Sequence, residues 1–273
     1  MLKETLGFIG GGNMARSLIG GLLARGLAAS QVTVADPVAT QRESLAAQLH
    51  VTTTDNNATA SAAQVLILAV KPQNLRAVAI GIAPTVQRHH PLIISIAAGI
   101  RASDLQRWLG GLPVVRCMPN TPALHGCGVT GLFATSDVPA EGRSLAAEIL
   151  GAVGPALWVD KESDMDAVTA VSGSGPAYFF LLIEMLEAAG IELGLTPQVA
   201  QRLAVETAYG AGQMARVAPE SAATLRQQVT SKGGTTEAAL KHLEAANVRA
   251  IFAAAIAAAA KRSAEMAQQL GKD

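Results

Sequence analysis

The sequence predicts an α/β fold: a doubly wound parallel sheet over residues 1–160, followed by an all-helical segment over residues 161–273. Three observations predict it. Short apolar runs alternate with helical stretches through the first 160 residues. A glycine-rich turn, Gly10-Gly11-Gly12, joins the first apolar run to the first helical stretch. After Asp160 no strand-like run appears again, and helix signals follow one another to the end of the chain.

Taken in order, Leu6–Ile9, Val32–Ala35, Val65–Val70, Leu92–Ala97 and Val114–Cys117 are brief, apolar and bounded by Gly, Pro or polar residues. Such runs suit parallel strands buried on both faces. Between the first two, Asn13–Arg25 places Met14, Leu18, Leu22 and Leu23 on one side of a helix. Strand and helix in alternation imply right-handed crossovers. Val129–Phe133 and Ala156–Val159 are expected to extend the sheet. Pro176 then opens a helical run to about Gly194, and Thr196-Pro197 reads as an N-cap followed by Pro in the first turn. A third helix is expected after Glu220, another from Thr236-Glu237, and a last one from Asn247 to about Leu270.

Composition narrows the function. Half of the 273 residues are hydrophobic but only 3% are aromatic, so the core must be Ala, Val, Leu and Ile. Twenty-one basic side chains balance twenty-one acidic ones. That balance makes no electrostatic case for nucleic acid or an anionic membrane surface, and points to a small ligand held by local groups. The longest apolar run, Ile251–Ala260, lies between Arg249 and Lys261 and falls short of the ~20 residues a membrane span needs. Leu2-Lys3-Glu4-Thr5 leads straight into the first strand, with no signal-peptide pattern. Cys117 and Cys127 have neither metal spacing nor the spacing of a redox pair. The expectation is a cytoplasmic protein without metal, nucleic acid or membrane partners.

Gly10-Gly11-Gly12-Asn13-Met14-Ala15 is a G-x-G-x-x-A fingerprint lying directly after a strand and before a helix. In a Rossmann-type site Gly10 makes the tight turn, Gly12 admits a pyrophosphate to the backbone, and Ala15 lets the helix lie close to the strand. The helix N-terminus then meets the phosphates with unpaired N–H groups. Asp36, at the end of the second strand, has the position of an acid that accepts hydrogen bonds from the adenosine ribose. An acid there favours NAD, whereas Arg42 six positions on offers a cation for a 2′-phosphate, so NADPH and NADH both stay open. Ala69-Val70-Lys71-Pro72 ends another strand at the sheet edge where doubly wound folds bind ligands.

Three further segments complete an ordered series: Met118-Pro119-Asn120-Thr121-Pro122, Ser172-Gly173-Ser174-Gly175-Pro176-Ala177-Tyr178 and Ser231-Lys232-Gly233-Gly234-Thr235-Thr236. With Phe8–Met14 and Ala69–Pro72, the series resembles the pyrroline-5-carboxylate reductases over residue 6 to about 265. The resemblance implies an enzyme that reduces a small cyclic imine to proline with NADPH or NADH. It places Gly10, Gly12, Asn13, Met14, Ala69 and Lys71 on the cofactor, Asn56 on its adenosine side, and the Asn120 loop near the nicotinamide. It gives Ser231, Gly233, Gly234 and Thr236 to the substrate carboxylate and Glu220 to the ring nitrogen. The family often has Pro where this chain has Lys232, so a rigid φ is lost there. The resemblance also implies a homodimer with interlocked helical domains, and larger rings of dimers occur in the family.

The residues support that chemistry by themselves. A protonated imine accepts hydride without a strong base, whereas an alcohol to be oxidised must lose its proton to a Lys or His. Ser172 through Leu182 holds no Lys or His, which argues against a hydroxy-acid dehydrogenase. N–H groups at Gly233 and Gly234, with hydroxyls at Ser231 and Thr236, suit a carboxylate at a helix start. A capped helix start with glycines for a sharp turn explains the same loop in part. Thr236 and Ser231 are the candidate catalytic residues, Thr236 orienting or relaying a proton to the new amine. A related imine reductase, a hydroxy-acid dehydrogenase and a nucleotide sensor with a dead site are the competing readings. Residues 161–273, rich in Ala and Gly, bury little apolar area per helix, and pairing with a second copy would enlarge the core.

Overall fold

The computed structural model describes Leu2–Lys272; Met1 and Asp273, the outer ends of the two expected segments, lie outside the described residues. Eight strands form one sheet: β1 (Leu6–Ile9), β2 (Val32–Ala35), β3 (Thr52–Thr54), β4 (Val65–Leu68), β5 (Leu92–Ser95), β6 (Val114–Met118), β7 (Thr130–Ala134) and β8 (Ala156–Trp158). Their order is β3-β2-β1-β4-β5-β6-β7-β8. The first six run parallel, β7 lies antiparallel to β6, and β8 is parallel to β7. The reversal at β7 has a local cause. The link from β6 carries only a 3₁₀ turn, Thr121–His125, instead of the crossover helix that a parallel neighbour needs. β3 is the one strand without an apolar run: three threonines, partly exposed at the sheet edge.

Seven helices accompany the sheet: α1 (Asn13–Ala24), α2 (Ala39–Leu49), α3 (Asn57–Ser61), α4 (Pro72–His89), α5 (Ala102–Leu109), α6 (Ala140–Leu150) and α7 (Asp164–Val168). Both faces of the central strands are buried, and the two-residue period of the strands divides the core. Val65 and Ile67 pack with Leu18, Ile19 and Ile149 on one face. Leu66 and Leu68 pack with Leu75, Ile82 and Leu105 on the other. This two-sided burial is why the strands read as continuous apolar runs.

One polar contact ties the far side of this unit together. Arg116 of β6 pairs with Glu162 at 3.0 Å, with side-chain exposures of only 3% and 18%. The same Glu162 oxygen accepts the Ala102 N–H at 2.6 Å, at the start of α5.

The rest of the chain is helical: α8 (Gly175–Glu192), α9 (Pro197–Val217), α10 (Ala222–Gln228), α11 (Thr235–Ala245) and α12 (Val248–Leu270). Thr196 caps α9 as its sequence suggests, accepting the Val199 N–H at 3.4 Å. Compactness divides the chain at two places instead of one near Asp160. One unit runs through Ser174 and resumes at Ala259; the other is Gly175–Ala258. The reason is that α7 packs on β7, where Gly131 leaves room for Val168. The last turns of α12 are also anchored in the first unit, through Ser263 to Asp166 at 2.7 Å and Arg107 to the Gly271 carbonyl at 2.8 Å.

Within the second unit, Gly190 of α8 lets Ala200 of α9 approach closely, and Tyr178 meets Phe252 edge to face with centroids 5.9 Å apart. Much of its apolar surface is uncovered. Phe179 and Phe180 are each 64% exposed, and Leu181, Met185 and Leu186 of α8 are exposed with them. Among the described residues, Asp164–Glu192 is long and apolar enough to cross a membrane, as the bent pair α11 and α12 would be if taken as one span. The run Ile251–Ala260, expected as a buried helix, lies instead largely exposed in α12, with Ile251 and Phe252 among the uncovered apolar residues.

Candidate functional site

The carboxyl ends of the parallel strands converge where the strand order reverses, between β1 and β4, the position at which open α/β sheets bind ligands. Gly10 leaves β1 with φ +95°, and a Cβ on it would stand 2.6 Å from the Ala69 carbonyl. No other residue fits there. The glycine-rich turn and the Ala69-Val70-Lys71-Pro72 turn are thus packed against each other, and Ala69 N–H donates to the Ile9 carbonyl at 2.8 Å. Gly12 is the N-cap of α1 and has no side-chain cap; a Cβ on it meets nothing within 4 Å. Open space over uncapped N–H groups at a helix start fits a pyrophosphate. Asn13 and Met14 form the first turn of α1, with Met14 packed on the core. Lys71 is the exposed N-cap of α4, with Pro72 in the first turn.

Asp36 is more engaged than a free ribose acceptor would be. Its Oδ2 accepts the Gly11 N–H at 2.8 Å and its Oδ1 the Val38 N–H at 2.9 Å. Each oxygen keeps a second lone pair, so the carboxylate pins the glycine turn and still has capacity for a ligand. Gln41 completes the pin by donating Nε2 to the Gly11 carbonyl at 2.6 Å. Arg42 Nη1 is held by the Asp36 carbonyl at 2.8 Å. Asn56 serves as the N-cap of α3, its Oδ1 accepting the Ala58 N–H at 2.9 Å. A groove of about 550 Å³ opens beside it, lined by Asn56, Asn57, Ala58, Val78 and Gly81.

Asn120 has an architectural task that its motif does not announce. Its Oδ1 accepts the Val129 N–H at 2.9 Å, and its Nδ2 donates to the Ser172 carbonyl at 3.2 Å. The Ser172 carbonyl needs such a donor, because the residue four positions on is Pro176, which has no N–H. The backbone there is a π-helical turn, Thr169–Gly173, leading from α7 towards α8. Gly173 is required in it: a Cβ would stand 2.5 Å from Met118 Cε. The Ser174-Gly175-Pro176 start of α8 is therefore not a fresh helix start out of a loop, as its Pro suggested. Wide turns of this kind recur at functional sites.

The Ser231–Thr236 loop lies in the helical unit and forms one tight turn before α11. Gly233 has φ +74°, and its N–H donates to Glu237 Oε2 at 2.7 Å. Gly234 N–H donates to the Ser231 carbonyl at 3.0 Å. Both glycine N–H groups are thus used internally, which corrects the expectation that they line a carboxylate nest. Gly234 is the N-cap of α11 and has no side-chain cap, so Thr235 and Thr236 are the first helical residues and neither is the cap. The donors left for an anion are the first-turn N–H groups of α11 and the hydroxyls of Ser231, Thr235 and Thr236. Glu220 is exposed just ahead of Ser221, the N-cap of α10.

Glu237 is a partner of this turn that its residue type does not announce. The Gly233 N–H, followed by Lys241 at 3.3 Å, holds its carboxyl below the usual range. The signal that finds it is its place three residues after the N-cap, the reach-back position of a capping box. Among the described residues no group of three or more His, Cys, Asp or Glu is placed to hold a metal.

Comparison with known proteins finds matches along the whole chain. Residues 162–266 match the family described as pyrroline-5-carboxylate reductase dimerisation, and residues 5–99 match NADP oxidoreductase, coenzyme F420-dependent. The pyrroline-5-carboxylate reductase of Pseudomonas aeruginosa is 51% identical over 274 residues, covering 100% of both chains. A solved pyrroline-5-carboxylate reductase from Coxiella burnetii superposes with a TM-score of 0.93 at 39% identity, covering 97% of this chain and 99% of that one. The Plasmodium falciparum pyrroline carboxylate reductase, solved with NADP bound, superposes with a TM-score of 0.85 at 27% identity, covering 98% and 99%.

Proposed function

The chain belongs to the pyrroline-5-carboxylate reductase family, and from that premise we infer that it reduces 1-pyrroline-5-carboxylate to L-proline with NADPH or NADH. The observation that carries the reading is that each unit of the chain holds one anion site at a helix start. The open N-terminus of α1 over Gly12 suits a dinucleotide, and the hydroxyl-rich start of α11 suits a small carboxylate. When bound, the reduced nicotinamide supplies hydride to the imine carbon. Gly10, Gly12, Asn13, Met14, Asp36, Asn56, Ala69 and Lys71 would hold the cofactor. Asn120 would shape the nicotinamide end through the π-turn.

The chain's own residues bind and orient the imine. Ser231 and the first-turn N–H groups of α11 take its carboxylate, where the helix dipole favours negative charge. Glu220 is assigned to the ring-nitrogen cation. Thr236 orients the nitrogen and relays a proton from water, since a hydroxyl is too weak an acid to be the proton source. A protonated imine needs no further base, consistent with the absence of Lys and His from Ser172 to Leu182.

Substitution tests the assignment. Ser231→Ala is expected to raise the Michaelis constant for the imine with turnover little changed, the signature of lost ground-state binding. Thr236→Ala is expected to lower turnover by about tenfold to a hundredfold, at or below the low end of general-acid assistance, with cofactor affinity unchanged. Steady-state kinetics with both substrates varied decides it; unchanged constants in both variants would remove the loop from the site.

Coenzyme choice follows from Asp36. A ribose 2′-phosphate would meet its fixed carboxylate, while Arg42, held by the Asp36 carbonyl, brings a cation to the same end of β2. NADH is therefore expected to be used measurably. Asp36→Ser should move the ratio of kcat/KM values towards NADPH by about tenfold, the equivalent of ~1.4 kcal/mol. A ratio that does not move would leave Asp36 as a turn residue only.

The uncovered apolar residues of α8, α9 and α12 are read as the interface with a second copy of the chain, making a cytoplasmic homodimer. The dimerisation family matched at residues 162–266 supports this reading over a membrane span for α8, as do Glu184 and Glu187 within that helix.

A further inference from the structure

We propose that Glu237 is a positioning residue for the substrate loop, replacing by a hydrogen bond the covalent restraint that the chain lacks at Lys232. The proposal rests on the assignment of the Ser231–Thr236 loop to the substrate carboxylate. Three features of the turn lead to it. Lys232 leaves φ free where a proline ring would fix it. The next residue, Gly233, must hold φ +74°, a conformation that glycine enters and leaves without steric penalty. Two consecutive unrestrained residues would let the turn open and carry the Ser231 hydroxyl away from the start of α11.

Glu237 closes that freedom from the helix side. Its Oε2 takes the Gly233 N–H at 2.7 Å, a charge-assisted bond to the very peptide that needs fixing. Its Oε1 is held one turn further on by Lys241 at 3.3 Å, so the carboxylate is itself anchored. With Gly233 fixed, the Gly234 N–H reaches the Ser231 carbonyl at 3.0 Å. The missing Cβ of Gly234, which would stand 2.6 Å from Ser231 Oγ, leaves that hydroxyl its place over the turn. Glu237 touches no substrate in this arrangement. It acts through Gly233 on where Ser231 stands, while Thr236 is held within α11 itself.

The test is a rescue. Glu237→Ala is expected to raise the Michaelis constant for pyrroline-5-carboxylate by about threefold to tenfold, the loss of roughly one hydrogen bond's worth of preorganisation, with kcat and the cofactor Michaelis constant little changed. In the ligand-free protein, the Gly233 amide should exchange its hydrogen faster in the same variant. Adding Lys232→Pro to Glu237→Ala should restore most of the substrate affinity, which repair of an unrelated structural defect would not do. An unchanged Michaelis constant in Glu237→Ala, or a double variant no better than the single one, overturns the proposal. If Ser231→Ala and Thr236→Ala both leave the constants unchanged, the loop assignment itself fails and takes the proposal with it. If Ser231→Ala raises the Michaelis constant while Glu237→Ala does not, only the proposal fails.

Discussion

Ala254→Glu is expected to turn the protein into inactive monomers. Ala254 is exposed in α12, close to Ile251 and Phe252, which are exposed as well. The helices of this unit leave Phe179, Phe180, Leu181, Met185 and Leu186 in water, and large apolar side chains exposed together mark interaction surfaces. Covering it with a second copy removes that area from solvent at about 25 cal/mol per Å². A carboxylate placed within the covered face must be desolvated without a partner, which costs several kcal/mol. Sedimentation at micromolar concentration should show dimers or larger species for the parent and monomers for the variant, with activity lost in step. A fully active monomeric variant, or a parent that sediments as a monomer, would contradict the reading of this face.

The second large effect concerns folding of the first unit. Glu162→Ala leaves Arg116 buried and unpaired on β6, and removes the acceptor of the Ala102 N–H at the start of α5. Breaking a buried pair from one side typically costs about 3–5 kcal/mol. The denaturant midpoint, measured at fixed protein concentration, should fall accordingly. Replacing both partners, as Arg116→Met with Glu162→Leu, should recover much of that loss, because no charge is then left stranded. A single variant as stable as the parent would show that Arg116 finds water or another acceptor.

The sheet was legible because its strands are buried on both faces, so composition alone marks Leu6–Ile9 and Val65–Leu68. β3 was not, since Thr52–Thr54 is a polar edge strand positioned by its neighbour β2 and not by hydrophobic pattern. The glycine fingerprint gave the cofactor end for a physical reason: the φ of Gly10 and its contact with Ala69 admit no side chain. What escaped were roles set by contacts between distant residues. Asn120 reads as part of a loop motif, yet its amide joins Val129 to Ser172, 52 positions away, and makes up for the N–H that Pro176 lacks. The N–H groups of Gly233 and Gly234 read as donors for a ligand, yet Glu237 and the Ser231 carbonyl take them. Residue types reveal which groups a site can offer; only the folded turn shows which of those groups are already spoken for.

The activity assigned to this chain is delivery of hydride from a nicotinamide to a cyclic imine carrying a carboxylate. Mixing the purified protein with NADPH or NADH and pyrroline-5-carboxylate, and following loss of reduced-cofactor absorbance together with proline formed, tests it directly. Cofactor oxidation is expected to depend on the imine, with one proline made for each cofactor consumed. Binding of both ligands without turnover by either cofactor would contradict that assignment and would make the protein a nucleotide sensor.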